Sequence, residues 1–158
     1  MAEKSSRPDE PDLAILLVAA NRVLVDRLMA AMDREGLTMR PSWGYVIRAL
    51  HAEPLPLARL AERLDVTKQA AQQMVDDMAA AGLVERRADP EDGRRKLLAL
   101  TDDGRRVRAT ALGVSAALEA EVGERHAPAL RTALLGLVER HGDAEAVRAG
   151  RARAMLSG

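Results

Sequence analysis

Two short apolar stripes at helical spacing, joined by a two-residue turn, constrain this chain more than any other feature. Leu57, Leu60, Ala61 and Leu64 fall on one face of a first helix. Val66, Ala71, Met74, Val75 and Met78 fall on one face of the next. Asp65-Val66 is too short to let the helices part, so they must cross and share a core. Ala61 and Ala71 are small enough for close approach at that crossing. Thr67 is placed to cap the second helix and Gly82 to end it. The period then changes. Leu83 to Ala88 and Arg94 to Leu100 read as strands, with the turn Asp89-Pro90-Glu91-Asp92-Gly93 between them.

Helices surround this unit. The spacing predicts one from Asp12 to Arg34, apolar on more than one face, so that it needs a second cover besides its own domain. A second is expected from Pro41 to Ala52, with Pro41 at its first position and Pro54 and Pro56 closing it. Thr101 caps a long helix reaching about Glu124, with Asp102 and Asp103 in its first turn. Pro128 opens a helix over Ala129 to His141, and 143–158 reads as one more marginal helix. The expected fold is mainly α with a small β-hairpin wing, a winged helix-turn-helix on a helical scaffold. Residues 37–101 form the lobe that carries the hairpin; 12–36 and 102–158 form the scaffold.

Among 158 residues there is no Cys, which excludes disulfides, thiolate metal sites and thiol nucleophiles. Residues 1–11 are polar and read as a disordered tail without the apolar core of a signal peptide. No segment stays apolar and uncharged for the ~18 residues that a membrane span needs. The expectation is a cytoplasmic protein with no membrane partner.

The 24 basic and 24 acidic residues cancel, so any nucleic-acid case rests on where the charges lie. Lys68, Gln69, Gln72 and Gln73 occupy adjacent outward rows of the second short helix, behind Thr67. Long amides suit base edges and an ammonium suits phosphate, while the helix dipole is positive at that end. Asp76 and Asp77 come later and are expected to sit apart from the phosphates. The hairpin gathers Arg86, Arg87, Arg94, Arg95 and Lys96 around its acidic turn. An Arg near its tip would enter a narrow minor groove. Asp92 is expected to orient Arg94.

Other chemistries find little support. There is no G-x-x-x-x-G-K and no H-E-x-x-H, so neither enzyme, cofactor nor metal is expected. The Gly of DPEDG falls too early for a calcium loop. His51, His126 and His141 lie far apart and read as surface or packing residues. The alternative to DNA binding is a winged-helix module used for protein interaction.

The strings LAERLDVTKQAA, GLVERR and DPEDGRRKLLALTDDGR resemble the MarR family of winged helix-turn-helix transcriptional regulators. The wing pattern D-x-x-D-x-R-x-x-x-x-x-L-T, in combination with the preceding helices, carries the likeness, and the element order extends it over about Asp12 to His141. The resemblance implies a homodimer joined by its terminal helices, a palindromic DNA operator and a small-molecule effector that weakens DNA binding. It places Trp43 and Tyr45 near the effector cleft, although core packing is the commoner role for such residues. Two positions depart from the family pattern. Asp65 stands where Gly is common, and Gly93 stands where Arg is common, which leaves Arg94 as the groove residue. A peroxide-sensing Cys is absent.

Overall fold

The computed structural model describes residues 10–140. Most of the expected 1–11 tail, His141 and the expected helix over 143–158 lie outside the described residues. The order is α1 (Leu13–Arg34), α2 (Trp43–Ala52), α3 (Leu57–Leu64), α4 (Lys68–Ala80), β1 (Val84–Ala88), β2 (Lys96–Leu100), α5 (Asp102–Val122) and α6 (Ala127–Arg140). No helix among the described residues is long and apolar enough to cross a membrane.

Caps set the helix boundaries. Asp12, Thr67 and Thr101 each accept a backbone N–H three residues on, at 2.9, 3.1 and 3.1 Å, which satisfies one orphan donor of α1, α4 and α5. Three helices end in the same way. Leu37, Val66 and Leu83 donate to the carbonyls of Met32, Ala61 and Met78, five residues back, at 3.0, 3.1 and 2.9 Å. The residue before each donor must be left-handed. Gly36 and Gly82 meet that demand at φ +66° and +75°, and Asp65 meets it at φ 54°. A short polar side chain makes Asp one of the few residues that tolerate this region.

Four boundaries differ from expectation. α2 starts at Trp43, because Pro41 and Ser42 form a tighter lead-in turn with Trp43 N–H donating to the Arg40 carbonyl at 2.9 Å. β1 begins at Val84, since Leu83 closes the α4 turn. β2 begins at Lys96, so Arg94 and Arg95 lie in the loop. There, Asp89 and Asp92 draw the backbone N–H groups of Glu91 and Arg94 onto their carboxylates at 2.9 and 3.1 Å. α6 begins at Ala127, with the Ala127 N–H bonded to the Gly123 carbonyl at 3.0 Å.

The core joins α2, α3, α4, the hairpin and the start of α5 through Trp43, Val46, Ile47, Leu50, Leu60, Leu64, Val75, Met78, Leu83, Leu98, Leu100 and Val107. Among the described residues no polar side chain is buried in it. β1 and β2 pair antiparallel with Val84 opposite Leu100, and Leu55 adds a bridge to Leu98. The Thr101 hydroxyl ties the hairpin to α4 by donating to the Gly82 carbonyl at 2.6 Å. α1 adds Met32 to this core and otherwise lies against α5, with Arg27 bonded to Glu121 at 2.5 Å. The first half of α1 is bare: Leu13 and Val18 are 68% and 72% exposed.

Two substitutions test these constraints. A Cβ on Gly104 would lie 2.2 Å from the Leu83 carbonyl oxygen and 3.3 Å from Leu100 Cβ. Gly104→Ala should therefore cost about 1–3 kcal/mol in denaturant unfolding, through forced backbone shifts. Asp65→Val should cost about 1–2 kcal/mol, because a β-branched residue resists the left-handed turn, whereas Asp65→Gly should not destabilise. Equal stability of the Val and Gly variants would contradict the turn geometry.

Candidate nucleic-acid interface

The buried face of α4 (Ala71, Val75 and Met78) leaves Lys68, Gln69 and Gln73 exposed and Gln72 half-buried on other rows. The Thr67 side chain already serves as the cap. Lys68 and Gln69 make no side-chain hydrogen bond or ion pair among the described residues. Gln72 and Gln73 do. The Gln72 amide donates to both oxygens of Asp76 at 2.8 Å, and Gln73 donates to Asp77 at 3.0 Å. The carboxylates are thus bonded to the amide row instead of standing apart from it, because they follow it by four residues and share its faces.

The basic residues of the hairpin fall into two groups. Arg86 donates to Asp76 at 2.9 Å, bridging β1 to α4, and Arg87 is held by its neighbour Glu85. Arg94, Arg95 and Lys96 are exposed and have no ion pair among the described residues. Asp92 accepts the Arg94 backbone N–H, so the bond reaches the main chain of the loop and not the guanidinium. It holds the loop; the Arg94 side chain is left to solvent.

Arg40 is a site residue that the sequence did not disclose. It donates to Asp77 at 3.2 Å, and its guanidinium lies 5.2 Å from the centre of the Trp43 ring. Only an Arg next to an aromatic-bearing turn hinted at it, and Asp77 is 37 positions away. Trp43 itself is 3% exposed within the core, and Tyr45 is half-buried against it. A cavity of about 120 Å³ between α2 and α5 is lined by Met39, Gly44, Ile47, Val107, Ala111 and Leu112, with Arg108 at its edge. Neither Trp43 nor Tyr45 lines it. His51 and His126 are exposed.

Residues 35–95, which hold α2 to α4 and most of the hairpin, match the family model described as MarR family. Over these residues the chain is similar to the MarR family. Solved MarR-type structures share the fold. The transcriptional repressor CouR bound to a 23-mer DNA duplex is 25% identical, with a TM-score of 0.59 over 83% of this chain and 92% of CouR. A MarR-family regulator from Rhodococcus sp. RHA1 is 25% identical, with a TM-score of 0.53 over 84% and 96%. MepR of S. aureus, solved with ethidium bromide, is 16% identical, with a TM-score of 0.58 over 84% and 98%. The uncharacterized protein Rv2011c of Mycobacterium tuberculosis is 36% identical over 74 residues. That match spans 47% of this chain and half the length of the relative.

The hydrogen bond from Gln72, and then that from Arg86, stabilise the charged form of Asp76 and hold its carboxyl below the usual range for Asp. A lowered folded-state value contributes stability above the ordinary Asp pKa, and this contribution is lost as pH falls through the lowered one. An NMR titration of the Asp76 carboxyl should show its midpoint rising toward the ordinary value in Arg86→Ala. An unmoved midpoint would contradict the Asp76–Arg86 contact.

Proposed function

We propose that this chain is a sequence-specific, double-stranded DNA-binding transcriptional regulator that acts as a homodimeric repressor on a palindromic operator. The observation that carries this reading is the distribution of uncommitted groups. Lys68 and Gln69 open α4, and Arg94, Arg95 and Lys96 crown the hairpin, exposed and without side-chain partners among the described residues. Most other arginines among the described residues are ion-paired, including Arg40, Arg59, Arg63, Arg86, Arg87 and Arg106. A chain with no net charge thereby gathers five of its groups without an ion pair on two adjoining elements, while Arg34, Arg108, Arg125 and Arg140 lie apart from them on or between the outer helices.

In this reading residues 37–101 are the DNA-binding lobe, and the first turns of α4 enter a major groove. Thr67, Lys68, Gln69, Gln72 and Gln73 face base edges and phosphates there, and Arg94 follows the neighbouring minor groove. Arg95 and Lys96 reach phosphates. Arg86 and Arg87 do so only by leaving Asp76 and Glu85, and Asp92 supports the loop. Residues 12–36 and 102–158 form the dimer arm. Leu13, Ile15, Leu16 and Val18 of α1, Leu112 of α5 and Leu130, Leu134 and Leu137 of α6 are exposed apolar residues that a second copy would cover. Between α5 and α6 lies an apolar groove of about 310 Å³ lined by Leu118, Val122, Leu130, Leu134 and Val138. Two symmetric lobes then read half-sites about one helical turn apart. A small effector, seated in the cavity between α2 and α5 that Gly44 and Ile47 line, with Trp43 and Tyr45 in the packing behind it, would change the spacing of the lobes and release the DNA.

Sedimentation should give twice the chain mass, and a gel shift on the upstream region of its own gene should weaken steeply with salt. Arg94→Ala should lower the salt slope by about one. Gln69→Ala should relax base preference by about 1–3 kcal/mol at one position. Weak, sequence-indifferent retention that neither variant alters would instead identify a protein-interaction module.

A further inference from the structure

Asp76 and Asp77 each hold one glutamine of α4 and are each held by one arginine from another element. Asp76 takes the Gln72 amide on both oxygens at 2.8 Å and Arg86 of β1 at 2.9 Å. Asp77 takes Gln73 at 3.0 Å and Arg40 of the α1–α2 connection at 3.2 Å. A Gln–Asp pair four residues apart is, on its own, an ordinary helix-surface contact. Here the carboxylates are anchored from outside the helix as well. Arg86 and Arg40 come from 10 and 37 positions away in the chain, and Arg40 is itself laid over the buried Trp43 ring.

The chemistry settles which way the amides face. A carboxylate only accepts, so the nitrogen of each amide must point at its aspartate. The amide oxygen is then left as an acceptor, suited to the exocyclic amines of adenine or cytosine in a major groove. Holding the amides before contact removes part of the rotamer entropy that binding would otherwise cost. The two arginines offset carboxylate charges that would repel phosphate.

We propose that Asp76 and Asp77 are positioning residues for base readout: they preset the Gln72 and Gln73 amides, and Arg86 and Arg40 neutralise the carboxylates that do so. The inference rests on the DNA-binding reading above.

The test is a double-mutant cycle on the full chain. The probes are a duplex that the wild-type protein selects from a randomised pool and a scrambled duplex of equal length and composition. Asp76→Ala should reduce the preference between them by about two- to tenfold. Adding Asp76→Ala to Gln72→Ala should reduce it no further, because the aspartate acts only through that glutamine. Asp77 and Gln73 should behave alike. Asp76→Asn keeps an acceptor for the amide, and should retain more of the preference than Asp76→Ala even if the alanine variant folds poorly. Additive losses overturn the proposal. So does a fall in thermal midpoint that weakens both duplexes equally, which is the mark of a purely structural contact. A wild-type protein that selects no sequence removes the DNA-binding reading itself, and this inference with it.

Discussion

α4 is held in place chiefly by packing. Leu60 and Leu64 of α3 and Val75 and Met78 of α4 are fully buried, and no polar side chain among the described residues shares their core. Ala61 of α3 and Ala71 of α4 are both buried, and their small side chains leave room for close packing. Because the inner face of α4 carries the structural load, its outer rows are free to hold long polar side chains. The hairpin inherits its place from the same core. Leu83, Val84, Leu98 and Leu100 enter the core directly, and Thr101 bonds back to the end of α4.

Neutral overall charge conceals a sorted surface. Most described arginines are tied to nearby carboxylates, so their contribution to any long-range field is small. Pairs this exposed add little stability. Their consequence lies elsewhere: within the hairpin-bearing lobe, pairing leaves Lys68 and the loop cations open to a polyanion. The acidic residues of α4 are part of this arrangement, since each one engages an amide and a guanidinium at once.

The outer helices and the hairpin-bearing lobe obey different rules. The lobe closes a core within one chain, whereas α6 buries no residue and α1 buries only Ala31 and Met32. Apolar surface this extensive on three helices is costly in water, and a second copy is the cover that the proposed function supplies.

Local chemistry made much of the fold legible from sequence. Asp12, Thr67 and Thr101 announced helix starts, Gly82 announced a stop, and the change of period after Gly82 announced the hairpin, since caps, left-handed turns and periodicity act over a few residues. The strand ends and the start of α2 were misplaced because side chains and tight turns capture backbone groups that a regular element would have used. The candidate residues of α4 were likewise readable from spacing. Their partners were not. Arg40 meets Asp77, and Arg86 meets Asp76, only because the core brings the α1–α2 connection and β1 against α4, and contacts between distant segments leave no periodic trace. By itself, then, the sequence determined which residues face outward, through local hydrogen bonding and apolar spacing. Tertiary packing decided which of those residues are free and which are already engaged, because that depends on how separate elements meet in space.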